Sequence, residues 1–172
     1  MPETTNMFEV MSTMRAMRRL KPDPVPDELI NKILQAAQWA PSGGNTQRWR
    51  FLVVKDPESR RRCRASTTSA SATRRSGHVT PQAHRRPAGS SIYPAVQNML
   101  LATRALGLGC TLTTRHTGYA KEVDAIFGLP PGVHSYAILP IGWPMGRFGP
   151  LGRGPLKDVV FQDRWGEPYS GV

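Results

Sequence analysis

Residues 60–88 constrain this chain more than any other stretch of it. These 29 residues carry eight arginines, no acid and a single large aliphatic side chain, Val79. Arginine, serine and threonine make up 16 of the 29. Ordering a residue costs ~1–2 kcal/mol in backbone entropy alone, and this segment has almost no apolar surface to offset it. It shows neither a helical nor an alternating period and is expected to be disordered. The segment also explains the net charge of +11: it contributes +8, while the other 143 residues hold 15 basic and 12 acidic side chains, or +3. Basicity belongs to one block and not to the fold.

The remainder of the 172 residues suits a single domain, 1–172, with one core. No run approaches the roughly 18 apolar residues of a membrane span, and the first residues lack the pattern of a signal peptide. The expectation is a soluble, cytoplasmic protein. Cys63 and Cys110 match no metal-ligand spacing and read as two ordinary thiols outside any bridge. No metal site is expected.

Helices and strands alternate along the flanks. From Asn6 to Met17, the residues Met7, Val10, Met11 and Met14 recur at helical spacing. Pro22, Pro24 and Pro26 then hold the chain extended. Asp27 and Glu28 open a second helix, where carboxylates complement the dipole, and it runs to about Trp39 before Pro41. Trp49 to Val54 reads as a strand rich in aromatic and β-branched residues. Beyond the arginine block, Ile92 to Leu106 is a helix apolar nearly all round and therefore destined for a core, stopped by Gly107 and Gly109. Cys110–Thr114 is a short strand, Tyr119–Phe127 a helix, and Ser135–Trp143 a buried strand. From Pro144 onward glycine and proline recur, predicting an extended tail with a turn near Leu156–Val160. Such alternation predicts a mixed α+β layer fold.

Three segments carry chemistry. Ala40-Pro41-Ser42-Gly43-Gly44-Asn45-Thr46-Gln47-Arg48-Trp49 leaves a helix and enters a strand. Its glycines let backbone approach a flat ligand, and Ser42, Asn45 and Gln47 offer hydroxyl and amide groups for heteroatoms. The same residues also describe an ordinary polar turn. Met14-Arg15-Ala16-Met17-Arg18-Arg19 clusters arginines where a helix ends, suited either to a phosphate or to a solvated, dipole-favoured helix end. Arg153 lies in the Gly/Pro-rich arm from Gly146 to Leu156, and gains interest only if a phosphate is already held elsewhere.

In this order, these segments resemble the nitroreductase family. So do Ile92-Tyr93-Pro94-Ala95-Val96-Gln97-Asn98-Met99-Leu100-Leu101-Ala102, the turn Ala105-Leu106-Gly107-Leu108-Gly109, and Ile138-Leu139-Pro140-Ile141-Gly142-Trp143-Pro144. The resemblance runs from about Met7 to Pro57 and from Ser91 to Gly166. It implies an α+β fold, a mixed sheet flanked by helices, here missing a central strand and helices. It also implies a homodimer that binds FMN at the subunit interface and takes hydride from NADH or NADPH in a ping-pong cycle, with nitroaromatics, quinones or similar acceptors. Arg15, Arg18 and Arg153 would meet the FMN phosphate. Ser42, Asn45 and Gln47 would address the ring or ribityl chain, and Thr113 and Thr114 would lie near the flavin. No catalytic side chain is implied, because the flavin carries the redox chemistry. Ala16 and Met14 depart from the serine and arginine that the family often has there.

The arginine block stands where the family has helices and a buried strand. Its composition, and the abrupt return of pattern on both sides, fit a shifted reading frame in GC-rich coding DNA; a natural linker or basic arm is the alternative. Two further readings follow. One is a degraded, non-catalytic relative with weak or no flavin binding. The other is a nucleic-acid binder acting through phosphate neutralisation, disfavoured because the block has no aromatic side chains for stacking and no recognised binding motif appears.

Overall fold

The structure is a computed structural model and describes residues 6–73 and 86–172. The first helix, α1 (Met7–Thr13), is capped by Asn6, whose side chain accepts from the Glu9 amide at 3.1 Å. It is shorter than the stripe from Asn6 to Met17 suggested. Of that stripe Val10 is buried, whereas Met7 and Met11 are exposed and the neighbouring Phe8 is 82 % exposed. After Thr13 the backbone turns extended at Met14.

The helix α2 (Asp27–Gln38) forms where expected, with Asp27 and Glu28 in its first turn. Ile33 and Ala37 are fully buried on its inner face. It packs on α4 (Arg86–Ala105), and Asn98 fastens the pair by donating to the Ala36 carbonyl at 2.9 Å. Ala95, Met99 and Leu108 join Ile33, Ala37, Ala40 and Trp49 in the main core; Val96, Leu100 and Cys110 form a second cluster. At the end of α4, Gly107 takes φ +74°, and the Leu108 amide returns to the Thr103 carbonyl at 2.9 Å. This left-handed closure is what the glycine permits.

Two expectations are corrected in the middle of the chain. Trp49 to Val54 is not a strand: Trp49 is buried, but no strand pairs with this segment among the described residues, and Leu52 and Val53 are exposed. β-propensity cannot become a strand without a partner for the ladder. The arginine block is not disordered throughout. A helix, α3 (Pro57–Thr73), covers its first part, and α4 begins at Arg86, earlier than the Ile92 expected; residues 74–85 lie outside the described residues. Local signals explain α3. Asp56 accepts from the Ser59 and Glu58 amides at 2.7 and 3.3 Å, Pro57 occupies the favoured first position, and Glu58 pairs with Arg61 at 2.6 Å. Arginine and alanine are good helix formers whatever the periodicity. Buried Cys63 lies in this helix, which packs on α5 (Ala120–Phe127) and the 3-10 turn Arg115–Tyr119 before it.

The sheet is small. Strand β1 (Gly109–Cys110) pairs antiparallel with β2 (Ile141–Gly142), Gly109 opposite Gly142 and Cys110 opposite Ile141. Of the longer strands expected over 110–114 and 135–143, the rest is a single bridge, Thr113 to Ile138, and residues 135–139 are only half-buried; a separate bridge joins Leu20 to Pro144. The Met17 amide donates to the Cys110 carbonyl, and the Lys21 amide to the Trp143 carbonyl, both at 2.8 Å. Residues 17–21 are thus bonded to the sheet and its flank without forming a strand. Beyond Pro144 the chain is an extended arm with a 3-10 turn at Leu156–Asp158, as the sequence predicts. Among the described residues, no helix is long and apolar enough to cross a membrane.

Candidate functional site

Arg15 and Arg18 stand exposed on the extended segment after α1. The segment is held by Met17 between them, whose side chain is buried and whose amide is bonded to Cys110. Neither arginine forms an ion pair among the described residues. Arg153 is also exposed, and its guanidinium donates to the Gly152 carbonyl at 2.8 Å. The Leu151 amide donates to the Ser12 carbonyl at 3.0 Å, so the arm that carries Arg153 is joined to the end of α1, three residues before Arg15.

The loop after α2 is built differently. Ser42 Oγ accepts from the Gln47 amide at 2.9 Å, and Gln47 Nε2 donates to Asn45 Oδ1 at 2.9 Å. The Gly43 amide donates to Ser91 Oγ at 3.2 Å, which moors the loop to α4. Gly44, Asn45 and Gln47 all have positive φ, of 58°, 51° and 46°. Glycine and asparagine tolerate that region; for glutamine it is uncommon, and such backbone is found where a loop is shaped for function. Asn45 and Gln47 are exposed, Ser42 half-buried.

Thr113 exchanges two 3.0 Å backbone bonds with Ile138, and its hydroxyl accepts from the Arg115 amide at 3.3 Å. Thr114 is exposed and precedes the 3-10 turn Arg115–Tyr119. Within that turn His116 is fully buried, with Nε2 3.0 Å from Ser135 Oγ and 3.2 Å from the Ser135 carbonyl oxygen. Its Nδ1, and Oδ1 of Asp124, are buried without a hydrogen-bond partner among the described residues.

Burial lowers the His116 pKa below its usual value; the Ser135 carbonyl and the Asp124 charge oppose this less strongly. The imidazole is therefore buried neutral, and folding must release a proton that the unfolded chain keeps at low pH. The stability it confers is intact above the unfolded value of 6.5 and is lost as pH falls below it, through the depressed folded value. The expected result is a urea midpoint that drops between about pH 7.5 and about pH 5. In His116→Gln the drop should be less than half as large, and equal drops in the two proteins would refute this assignment.

Cys63 and Cys110 are in no disulfide, and burial raises both thiols, Cys110 to about 11. No group of three or more His, Cys, Asp or Glu able to hold a metal occurs among the described residues. An open cleft of about 410 Å³ is lined by Lys21, Asp23, Gly107, Trp143, Pro144 and Gly146, none of them a residue that the sequence singled out for binding. Sequence reasoning also missed Arg104, His116 and Ser91. For Arg104 a signal existed: a cation in a helix otherwise apolar nearly all round.

The model of the nitroreductase family matches this chain in two overlapping segments, residues 12–86 and 70–143. The chain belongs to the nitroreductase family. A Thermus thermophilus relative named NADH dehydrogenase is 29 % identical over an alignment of 188 residues that covers 85 % of this chain and 90 % of the relative. A Desulfovibrio desulfuricans structure solved in complex with FMN shares 27 % identity, with a TM-score of 0.72 over 94 % of this chain and 99 % of the other. The NADPH:FMN oxidoreductase from Vibrio harveyi, complexed with NAD+, has the same fold, with a TM-score of 0.79 at 21 % identity over 95 % of this chain and 79 % of the other. The nitroreductase-type α+β fold is therefore present, and by ancestry the chain belongs among the oxidoreductases of that family.

Proposed function

We infer that this nitroreductase binds FMN as a homodimer and moves hydride from NADH or NADPH to a nitroaromatic, quinone or similar acceptor in a ping-pong cycle. One observation carries the reading: the Leu151–Ser12 bond, which ties the Arg153 arm to the end of α1, three residues before Arg15. The donor set suits the cofactor. Three exposed guanidinium groups match a phosphate dianion, for which arginine offers charge-assisted and bidentate bonds. Ser42, Asn45 and Gln47 supply neutral donors and acceptors of the kind a ring edge or a polyol chain requires. The positive φ values at Gly44, Asn45 and Gln47 support a loop shaped to approach a flat ligand. Thr113 and Thr114 would flank that ligand.

When bound, FMN supplies the redox chemistry, and the chain's part is to bind, orient and exclude water. Exposed apolar side chains support the homodimer: Met7, Phe8 and Met11 along α1, and Trp165, 91 % exposed, in the arm. The family relatives named for NADH dehydrogenase activity or solved with FMN and NAD+ support the cofactor and the donor.

A titration of the purified chain with FMN tests the reading. Saturable quenching of flavin fluorescence, a retained yellow colour after desalting, and bleaching on addition of NADH or NADPH are expected. A protein that stays colourless after FMN is added would favour the second reading, a non-catalytic relative. The observation behind that alternative is the exposed, unpaired segment at Leu52 and Val53.

A further inference from the structure

Arg104 sits in the last turn of α4, and only 5 % of it is exposed. A buried guanidinium is costly unless its donors and its charge are met. Here its charge is met by groups from two separate parts of the chain. Its Nε donates to Thr13 Oγ1 at 2.9 Å, and its Nη2 lies 3.5 Å from Glu9 Oε1, both on α1. The Thr13 hydroxyl in turn donates to the Glu9 carbonyl at 2.6 Å, which fixes the acceptor. The flat of the guanidinium lies over the Phe148 ring, 4.2 Å from its centroid, in the glycine-rich arm.

The arm needs such an anchor. A side chain added at Gly149, Gly152 or Gly154 would meet nothing within 4 Å, so most of the arm runs without close neighbours. Its nearby backbone ties are the Met145–Arg19 bond at its start and, three residues past Phe148, the Leu151–Ser12 bond, again to the end of α1. Thr13 is two residues before Arg15, and Phe148 is five before Arg153. Arg104, the one buried arginine or lysine among the described residues, thus stands behind both pieces of the proposed phosphate grip.

We propose that Arg104 is a positioning residue: by clamping Thr13 and Glu9 of α1 and stacking on Phe148, it holds the arm so that Arg153 is presented beside Arg15 and Arg18. The flavin part of this proposal rests on the function inferred above. Lysine cannot replace it, because a point charge neither forks to two acceptors nor stacks flat on a ring.

The test uses the full chain, with FMN and riboflavin as probes; the two share a ring system and differ by the phosphate. Arg104→Met should weaken FMN binding roughly tenfold or more and riboflavin binding less than about twofold. In the flavin-free chain the Leu151 amide should exchange with deuterium at least roughly tenfold faster. Arg104→Lys should fall between. Phe148→Leu keeps the buried guanidinium and its α1 partners, so a well-folded variant is secured; its Leu151 exchange should rise while the α1 amides stay unchanged. Unaltered Leu151 exchange in both variants overturns the proposal, whatever the flavins do. Equal loss of FMN and riboflavin also overturns it, since Arg104 would then merely support the fold. If the wild-type chain binds FMN no tighter than riboflavin, the phosphate reading of Arg15, Arg18 and Arg153 falls, and Leu151 exchange alone still decides the tether.

Discussion

Replacing Arg15 and Arg153 together by alanine is expected to weaken FMN binding by ~100-fold or more, enough for the yellow colour to be lost on desalting. Hydrogen bonds to a charged group contribute roughly 1.5–3 kcal/mol each, and about 1.4 kcal/mol is a factor of ten in affinity, so two lost guanidinium–phosphate contacts multiply to that order. Either single substitution should cost roughly tenfold. The fold should be indifferent, since both side chains are exposed and neither forms an ion pair among the described residues. Thermal unfolding of the flavin-free variant should therefore match wild type. Fluorescence titration reads the affinity. A double variant that holds FMN as tightly as the parent would remove these residues from the site.

Gly109→Ala should damage both the fold and the candidate site. A Cβ at Gly109 would stand 2.9 Å from Leu20 Cδ2, 2.9 Å from Met17 Cβ and 3.1 Å from Pro144 Cβ. The Leu20 methyl can rotate away, but Met17 Cβ is fixed to the backbone whose amide bonds Cys110. Either β1 or the segment carrying Arg15 and Arg18 must move. Overpacking of this kind costs about 1–3 kcal/mol, a large share of the roughly 5–15 kcal/mol that stabilises a typical domain. We expect a clearly lower urea midpoint and weaker FMN binding in the same variant. Gly149→Ala is the control, because an added Cβ there meets nothing within 4 Å. Equal midpoints for the two would show that the sheet edge is softer than its packing implies.

The loss of stability on acidification assigned to His116 comes from a residue that the sequence did not mark. Nothing local distinguishes a buried histidine from an exposed one in Arg-His-Thr-Gly-Tyr. Its burial is imposed by Ser135, nineteen residues on, and by α3 packing on the same turn. The arginine block shows the opposite error. Absence of an apolar period led to an expectation of disorder, yet a cap at Asp56, a proline at the first position and an ion pair suffice for a helix over Pro57–Thr73. Periodicity reports which face is buried; caps and propensity report whether a helix starts at all.

What the amino-acid order determined by itself is local or carried by motif. The bounds of α2 follow from its acidic first turn and from Pro41, and the left-handed closures at Gly107 and Gly128 follow from glycine. The ordered loop and arginine segments were enough to indicate the family. Tertiary structure decided the rest, because strands and buried charges depend on partners far away in the chain. Trp49–Val54 has strand composition and no neighbour to complete a ladder. The α1 stripe is helical but remains largely uncovered. Arg104 became the joint between helix and arm only when folding brought Thr13, 91 residues away, within hydrogen-bonding distance of its guanidinium.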